Sequence, residues 1–344
     1  MESRKVQRVG YSTFSVSLPK DWVKKVDLKQ GDLVMFIPQT DGSLKVMPSD
    51  LAKRVAETKE FVINSDLCDE RGILERIVVG NYTLGRDVFR IVSSKRIQSR
   101  QTEEIRRIAR RLFGLGIVEE TPNQIVLQCS IDPTKFQIDM LIRRLSLIAS
   151  TMQCEAIQAF IELDDKLAED AISREDEADM MYWLALRLLL SAQHVHAVAE
   201  KIGLKDPSDI LYYGLVIRYL ELIADYAENI ARSAIEFKAC CEERVNKHIT
   251  DRIDHLSELA HNVFLKAVDC LFTGDMQIAN DILEIRNVVK EEHKILMREL
   301  PETPHLRAVV WGLIRIADNG AGIAAIAVNR ALEKPSKICS YRRM

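Results

Sequence analysis

The stretch Ile217–Ala234, IRYLELIADYAENIARSA, decides how the chain is read. Ile217, Leu220, Ala224, Ala227, Ala231 and Ala234 recur at intervals of three and four, which at about 100° per residue puts them on one helical stripe, the seam a bundle requires. Glu221 and Asp225 each follow a stripe residue by one position, so they are expected at the edge of the seam, half exposed and one turn apart. Asn229 continues their line. Upstream, the acidic run Glu175, Asp176, Glu177 and Asp179 holds a second acid-x-x-x-acid pair, Glu175 and Asp179, on one helix face. Two such pairs on neighbouring helices bring four carboxylates together, and a like-charge cluster raises its own pKa values unless a cation neutralises it. A hard cation held by oxygen ligands answers that requirement. The same spacing also suits ordinary solvated helix positions.

Outward from this stretch, residues 134–334 carry long 3.6-period segments separated by breakers at Gly203–Pro207, Thr273–Asp275 and Pro301–Pro304, for which six helices are the natural count. The segment repeats. Ala159–Ile172 aligns without a gap on Cys270–Leu283, and Ile223-Ala224-Asp225 aligns on Ile316-Ala317-Asp318, with Ile230-Ala231 over Ile323-Ala324. A duplicated three-helix unit is expected, over 134–243 and 244–334, with a shorter middle helix in the second copy. There Arg286, Asn287 and Lys290 stand opposite Glu175, Asp176 and Asp179, and Ile314 and Gly322 stand opposite Glu221 and Asn229. Only Asp318 remains, so the second copy is expected to bind metal weakly or not at all.

Residues 51–131 alternate strand and helix patterns: strands at Phe61–Ile63, Val88–Val92, Ile117-Val118 and Ile125–Leu127, with helices over Glu70–Leu84 and Thr102–Phe113. A small α/β layer fits them. Its second helix carries Arg106, Arg107, Arg110 and Arg111, a charge run that ordinarily marks a solvated face. Residues 1–50 differ again, with short alternating strands around Gly10, Gly31-Asp32 and Asp41-Gly42 and one short helix opening at Pro19.

The 344 residues are 47% apolar and 29% charged, long enough for several domains. Lys plus Arg number 48 against 51 Asp plus Glu, a net charge of -3, which excludes a wholly basic nucleic-acid coater, so any DNA contact must be local. In the first module Arg4, Lys5, Arg8, Lys20, Lys24 and Lys25 outnumber Glu2 and Asp21, which makes such a local patch. Seven cysteines without a CxxC pair argue for a reducing compartment. No apolar leader follows Met1 and the greasiest stretches are short or interrupted, so a cytoplasmic protein that is not membrane-embedded is expected. A carboxylate-bridged di-iron enzyme would need Glu-x-x-His on two helices, and the chain has one instance, Glu258-x-x-His261. His194-x-His196 does not share one helical face. No catalytic constellation stands out.

The phrases RYLELIADYAENIA (Arg218–Ala231), SREDEAD (Ser173–Asp179) and IRIADNGAGIA (Ile314–Ala324) resemble the PhoU family of phosphate-signalling regulators over about 200 residues. That resemblance implies two tandem three-helix bundles and metal held by Glu175, Asp176, Asp179, Glu221 and Asp225, the ion being divalent or trivalent, with iron, zinc, magnesium and calcium all open. RKVQRVGYSTFSVSLPKDWVKKVDLKQGD (Arg4–Asp32) resembles AbrB/SpoVT-type swapped-hairpin DNA-binding modules, which implies a homodimer or higher oligomer and double-stranded DNA as partner. The combination resembles archaeal phosphate-uptake regulators, so a phosphate transporter ATPase or a signalling protein is a further implied partner. The expected protein is multidomain: a swapped-hairpin β module over 1–50, an α/β segment over 51–131 and an all-α part of two bundles. It is expected to regulate transcription and to lack catalytic activity. The alternative is an adaptor that docks on a transporter and uses its β module only to dimerise.

Overall fold

The computed structural model describes residues 3–38, 42–49, 60–240 and 245–333. The chain divides into two units, Met1–Lys59 and Glu60–Met344.

In the first unit β1 (Gln7–Val9) pairs antiparallel with β2 (Thr13–Ser15), with Arg8 opposite Phe14. The turn between them uses Gly10 at φ +69°, a conformation without steric cost only for glycine. The second strand stops at Ser15, and α1 (Lys20–Lys25) follows Pro19. A second hairpin joins β3 (Val34–Pro38) to β4 (Leu44–Pro48), with Pro38 opposite Leu44 and Gly42 at φ +79° in the connection. Asp41 of the expected turn lies outside the described residues. The two hairpins form separate two-stranded sheets. No described residue of this unit is buried; Phe14 is 70% exposed and Leu33 76%. An isolated two-stranded hairpin is marginal in water, because it has no second layer to cover its apolar face.

The second unit begins with a four-stranded sheet of β5 (Phe61–Asn64), β6 (Val88–Val92), β7 (Leu115–Thr121) and β8 (Gln124–Cys129), in the order β5-β6-β8-β7. The β5–β6 pair is parallel and the others are antiparallel. Val88–Val92 alternates half-buried and buried residues, the signature of one covered face. That cover is α2 (Ile73–Thr83) and α3 (Ser99–Arg111), whose Leu74, Val78, Ile105 and Ile108 pack on Ile63, Phe89, Ile91 and Leu127.

Among the described residues eight helices follow: α4 (Ile138–Glu162), α5 (Asp165–Ser173), α6 (Glu175–His194), α7 (His196–Lys201), α8 (Ser208–Cys240), α9 (Lys247–Thr273), α10 (Met276–Glu299) and α11 (Pro304–Leu332). The expected count of six is corrected because the middle helix of the first copy is cut twice. At Arg174 the helix tightens, its N–H bonding Ala171 O three residues back, and the β-branched Val195 takes an extended backbone at φ -125°. The uncut α10 is correspondingly the shorter middle segment, as the alignment anticipates.

The duplication extends to the turns. Leu163 at φ +57° and Gly274 at φ +68° end the first helix of each copy, and the next residue, Asp164 or Asp275, caps the following helix. Asp164 accepts from the N–H groups of Lys166 and Leu167, and Asp275 from those of Gln277 and Ile278. An Asp at this position satisfies two of the free amides that every helix start presents. Helix α11 is long and apolar enough to cross a membrane by length and composition, but 72% of that stretch is buried inside the bundle. At Gly320 a Cβ would lie 2.7 Å from Phe264 Cα, so the absent side chain sets how closely α9 and α11 approach. Cys68, Cys129, Cys154, Cys240 and Cys270 are free thiols, while Cys241 and Cys339 lie outside the described residues.

Candidate functional site

Helix α6 opens with Glu175, and Asp179 stands one turn on, so both carboxyls lie on the face turned to α8. From α8 come Glu221 and Asp225. The structure therefore brings four of the five expected ligands together: burial and mutual repulsion raise the whole group. Glu175 is raised by burial and then by Asp179, with which it shares a hydrogen bond. Asp179 is raised by burial, with Glu221 and Asp225 adding to it and Arg111 opposing. Burial and then Asp225 push Glu221 up to about 7, and burial raises Asp225. Glu221 is only 8% exposed, more covered than its place at the edge of the seam suggests, because Arg218 Nη1 folds over it at 2.5 Å from Oε2. Asp176, the fifth expected ligand, is 65% exposed at the side chain. Asn229 does not extend the cluster, since its Nδ2 turns back to donate to Asp225 O at 2.8 Å.

Besides Arg218, the cluster holds a guanidinium from the α/β segment. Arg111, last residue of α3, places Nη2 3.2 Å from Glu175 Oε2 and 2.9 Å from Asp179 Oδ2, and Nε 2.6 Å from Asp176 Oδ1. On its other side Nη1 lies 3.6 Å from Glu75 Oε1. Sequence reasoning missed Arg111. Its signal was the arginine run of α3, which looks like a solvated face and is in fact divided among tasks: Arg106 pairs with Glu120, Arg107 with Glu75, and Arg111 reaches the bundle.

The second copy solves the same problem internally. Arg286, in the place of Glu175, puts Nη2 2.6 Å from Asp318 Oδ1, which stands in the place of Asp225. His261 meets Ser150 Oγ at 2.7 Å through Nε2, across α4 and α9. The side chains of His194 and His196 lie outside the described residues.

An all-carboxylate donor set suits a hard cation. As arranged, however, no group of three or more His, Cys, Asp or Glu among the described residues stands ready to hold a metal ion.

The titration has a direction. These carboxyls bind protons more tightly folded than unfolded, so the stability tied to them is complete below the ordinary carboxylate range, about pH 4, and is lost as pH rises through about 7. Without added metal the melting temperature should fall between pH 5.5 and 8, and Glu175→Gln with Glu221→Gln should flatten the fall. A melting temperature that climbs over this interval contradicts the assignment.

In the first unit, Arg4, Lys5, Arg8, Lys20, Lys24 and Lys25 are all exposed. Arg4 Nη1 lies 3.5 Å from Ser17 Oγ and Arg8 Nη2 donates to Tyr11 O at 2.5 Å, so both arms are tied to the first hairpin. Lys20, Lys24 and Lys25 lie on α1, the last two in its final turn.

Residues 142–234 match the PhoU domain, and residues 7–53 match the antidote-toxin recognition domain of MazE, a bacterial antitoxin. No curated protein matches the chain. Among solved structures, PhoU from Pseudomonas aeruginosa superposes with a TM-score of 0.50 at 18% identity, over 57% of this chain and 96% of that one. The phosphate transport system regulatory protein PhoU from Streptococcus pneumoniae gives 0.48 at 15% identity, over 57% and 94%. The helical part thus has the PhoU fold, and the residues that match the antitoxin model lie N-terminal to it.

Proposed function

We propose that the chain is a dimeric DNA-binding regulator of phosphate uptake that works in the cytoplasm and is not an enzyme. The observation that carries this reading is the first unit: six exposed cations, on the segment leading into the first hairpin, on β1 and on α1, in a module in which no described residue is buried. Such a module lacks a core of its own and gains one when a second copy covers Phe14, Leu33 and Phe36. Pairing also doubles the cationic surface, which suits a duplex because phosphate contacts fix a protein on DNA through charge. The match to the antitoxin domain and the PhoU fold support a DNA-reading head joined to a body that relays phosphate status to a transporter or signalling partner.

In this reading the first bundle takes a divalent or trivalent metal ion on Glu175, Asp179, Glu221 and Asp225, with Asp176 at the rim. The ion supplies positive charge to a cluster that otherwise holds protons. The double variant Glu221→Ala, Asp225→Ala should lose at least about half of the metal bound by the parent, as read by elemental analysis; full stoichiometry in the variant rejects the site.

Removing residues 1–50 distinguishes the regulator from an adaptor that only docks on a transporter. Loss of phosphate-dependent promoter control, together with loss of promoter occupancy, supports the regulator. Unchanged phosphate response in cells supports the adaptor.

A further inference from the structure

The arginine run of α3 leaves one member uncommitted. Arg106, Arg107 and Arg111 are paired with carboxylates, whereas Arg110 is exposed and forms no ion pair or hydrogen bond among the described residues. Arg106 and Arg110 stand four residues apart, so they are neighbours on one face of the helix. Beside them a cleft of about 600 Å³ opens between α3, the start of β7 and α6.

The lining of this cleft divides by chemistry. Leu112, Phe113, Ile117 and, from α6, Met180 make its apolar surface, and Arg106 and Arg110 supply its charge; no carboxylate lines it. The corner exists because Gly114, at φ +71°, turns the chain from the end of α3 directly into β7. Phe113 stays 39% exposed, although an edge-on contact with Phe136, 5.9 Å between ring centres, holds its ring. The pair between Arg106 and Glu120 lies at the surface, where an ion pair is weak enough to yield to another anion.

The volume suits a small organic molecule. A peptide laid along the free edge of the sheet at β7 fits less well, because the bulge between Ile117 and Glu119 interrupts the row of backbone groups that strand addition uses. Inorganic phosphate has no apolar part to cover Leu112 and Phe113.

We propose that this cleft binds a small monocarboxylate with an apolar body. Arg110 holds the carboxylate, with Arg106 as a second donor, and the body covers Leu112, Phe113, Ile117 and Met180. A guanidinium suits that task because its fork matches the two carboxylate oxygens. The ligand touches α3 and β7 on one side and α6 on the other, so its binding tightens the contact between the α/β segment and the helical part. The α/β segment thereby gains a sensing role of its own, which requires neither DNA nor an ion at the acidic cluster.

The test uses octanoate, a single carboxylate on a short apolar chain, in a calorimetric titration of the full chain. Saturable binding is expected, weakened about tenfold in Arg110→Gln and by less in Arg110→Lys, which keeps the charge and loses the fork. Octanol, the same chain without the charge, should bind about tenfold more weakly than octanoate, and inorganic phosphate should not displace octanoate. Hydrogen exchange locates the ligand: octanoate should slow amide exchange over residues 112–117 and in the turn of α6 at Met180, and should do so less in Arg110→Gln at the same concentration. Equal affinity in the parent and Arg110→Gln places the binding elsewhere and overturns the proposal. Octanol as tight as octanoate, displacement by phosphate, or the absence of saturable octanoate binding overturns it as well.

Discussion

Raising the salt from about 50 to about 200 mM should weaken binding of the protein to duplex DNA by about a thousandfold. The expectation follows from where the charge lies. The whole chain carries a net charge of -3, so long-range attraction to DNA is absent and binding has to come from the local patch. A pair of modules presents two sets of Arg4, Lys5, Arg8, Lys20, Lys24 and Lys25, all exposed. Each phosphate they neutralise releases condensed counter-ions, and the logarithm of affinity then falls linearly with the logarithm of salt. Lys24→Ala with Lys25→Ala should reduce that slope by about one for each phosphate left without its lysine, across all sequences alike. Fluorescence anisotropy of a labelled duplex measures both. A flat salt response contradicts the assignment of these side chains to phosphates.

The second large effect belongs to Arg187. Its side chain is 4% exposed, and it binds the carbonyl oxygens of Tyr82 and Arg86 and, at 2.5 Å, Asp87 Oδ1. These carbonyls close the C-terminal end of α2 and the turn beyond it, where the intrahelical donors have run out. Arg187→Ala therefore takes a buried donor from Arg86 O and from Tyr82 O, which keeps only the N–H of Gly85, and removes a buried polar tie between the α/β segment and α6. A loss of about 3 kcal/mol is expected in denaturant unfolding, less than for a fully enclosed ion pair because Asp87 is half exposed. Arg187→Lys should recover only part of it, since one ammonium cannot reach both carbonyls and the carboxylate in the same fork. Wild-type stability in Arg187→Ala contradicts the anchoring role.

Much of this architecture is legible in the sequence, and the exceptions have physical causes. The alternating and 3.6-period patterns locate the strands and helices of the second unit, because burial of one face imposes them on the residues. The repeat is visible because both copies keep the same capping aspartate and the same seam, which the turns at Leu163 and Gly274 then explain. The breaks at Arg174 and Val195 are not legible: neither residue is a glycine or proline, the signals that mark the other breaks. Spacing alone locates the first pair of acids, and Glu221 and Asp225 as well. Arg111 is hidden because a guanidinium 64 residues from Glu175 along the chain leaves no periodic trace, and only the folded chain brings the two together. Its neighbours in the arginine run, Arg106 and Arg107, are paired on the surface of their own segment, which is what such a run ordinarily does.

The most direct measurement of the central claim is sedimentation of the full chain with a short duplex at low salt, beside Phe14→Asp. Two chains on one duplex, and a monomeric Phe14→Asp that no longer binds, are the predicted result. A single chain on the duplex, or a Phe14→Asp variant that binds as tightly as the parent, would contradict it.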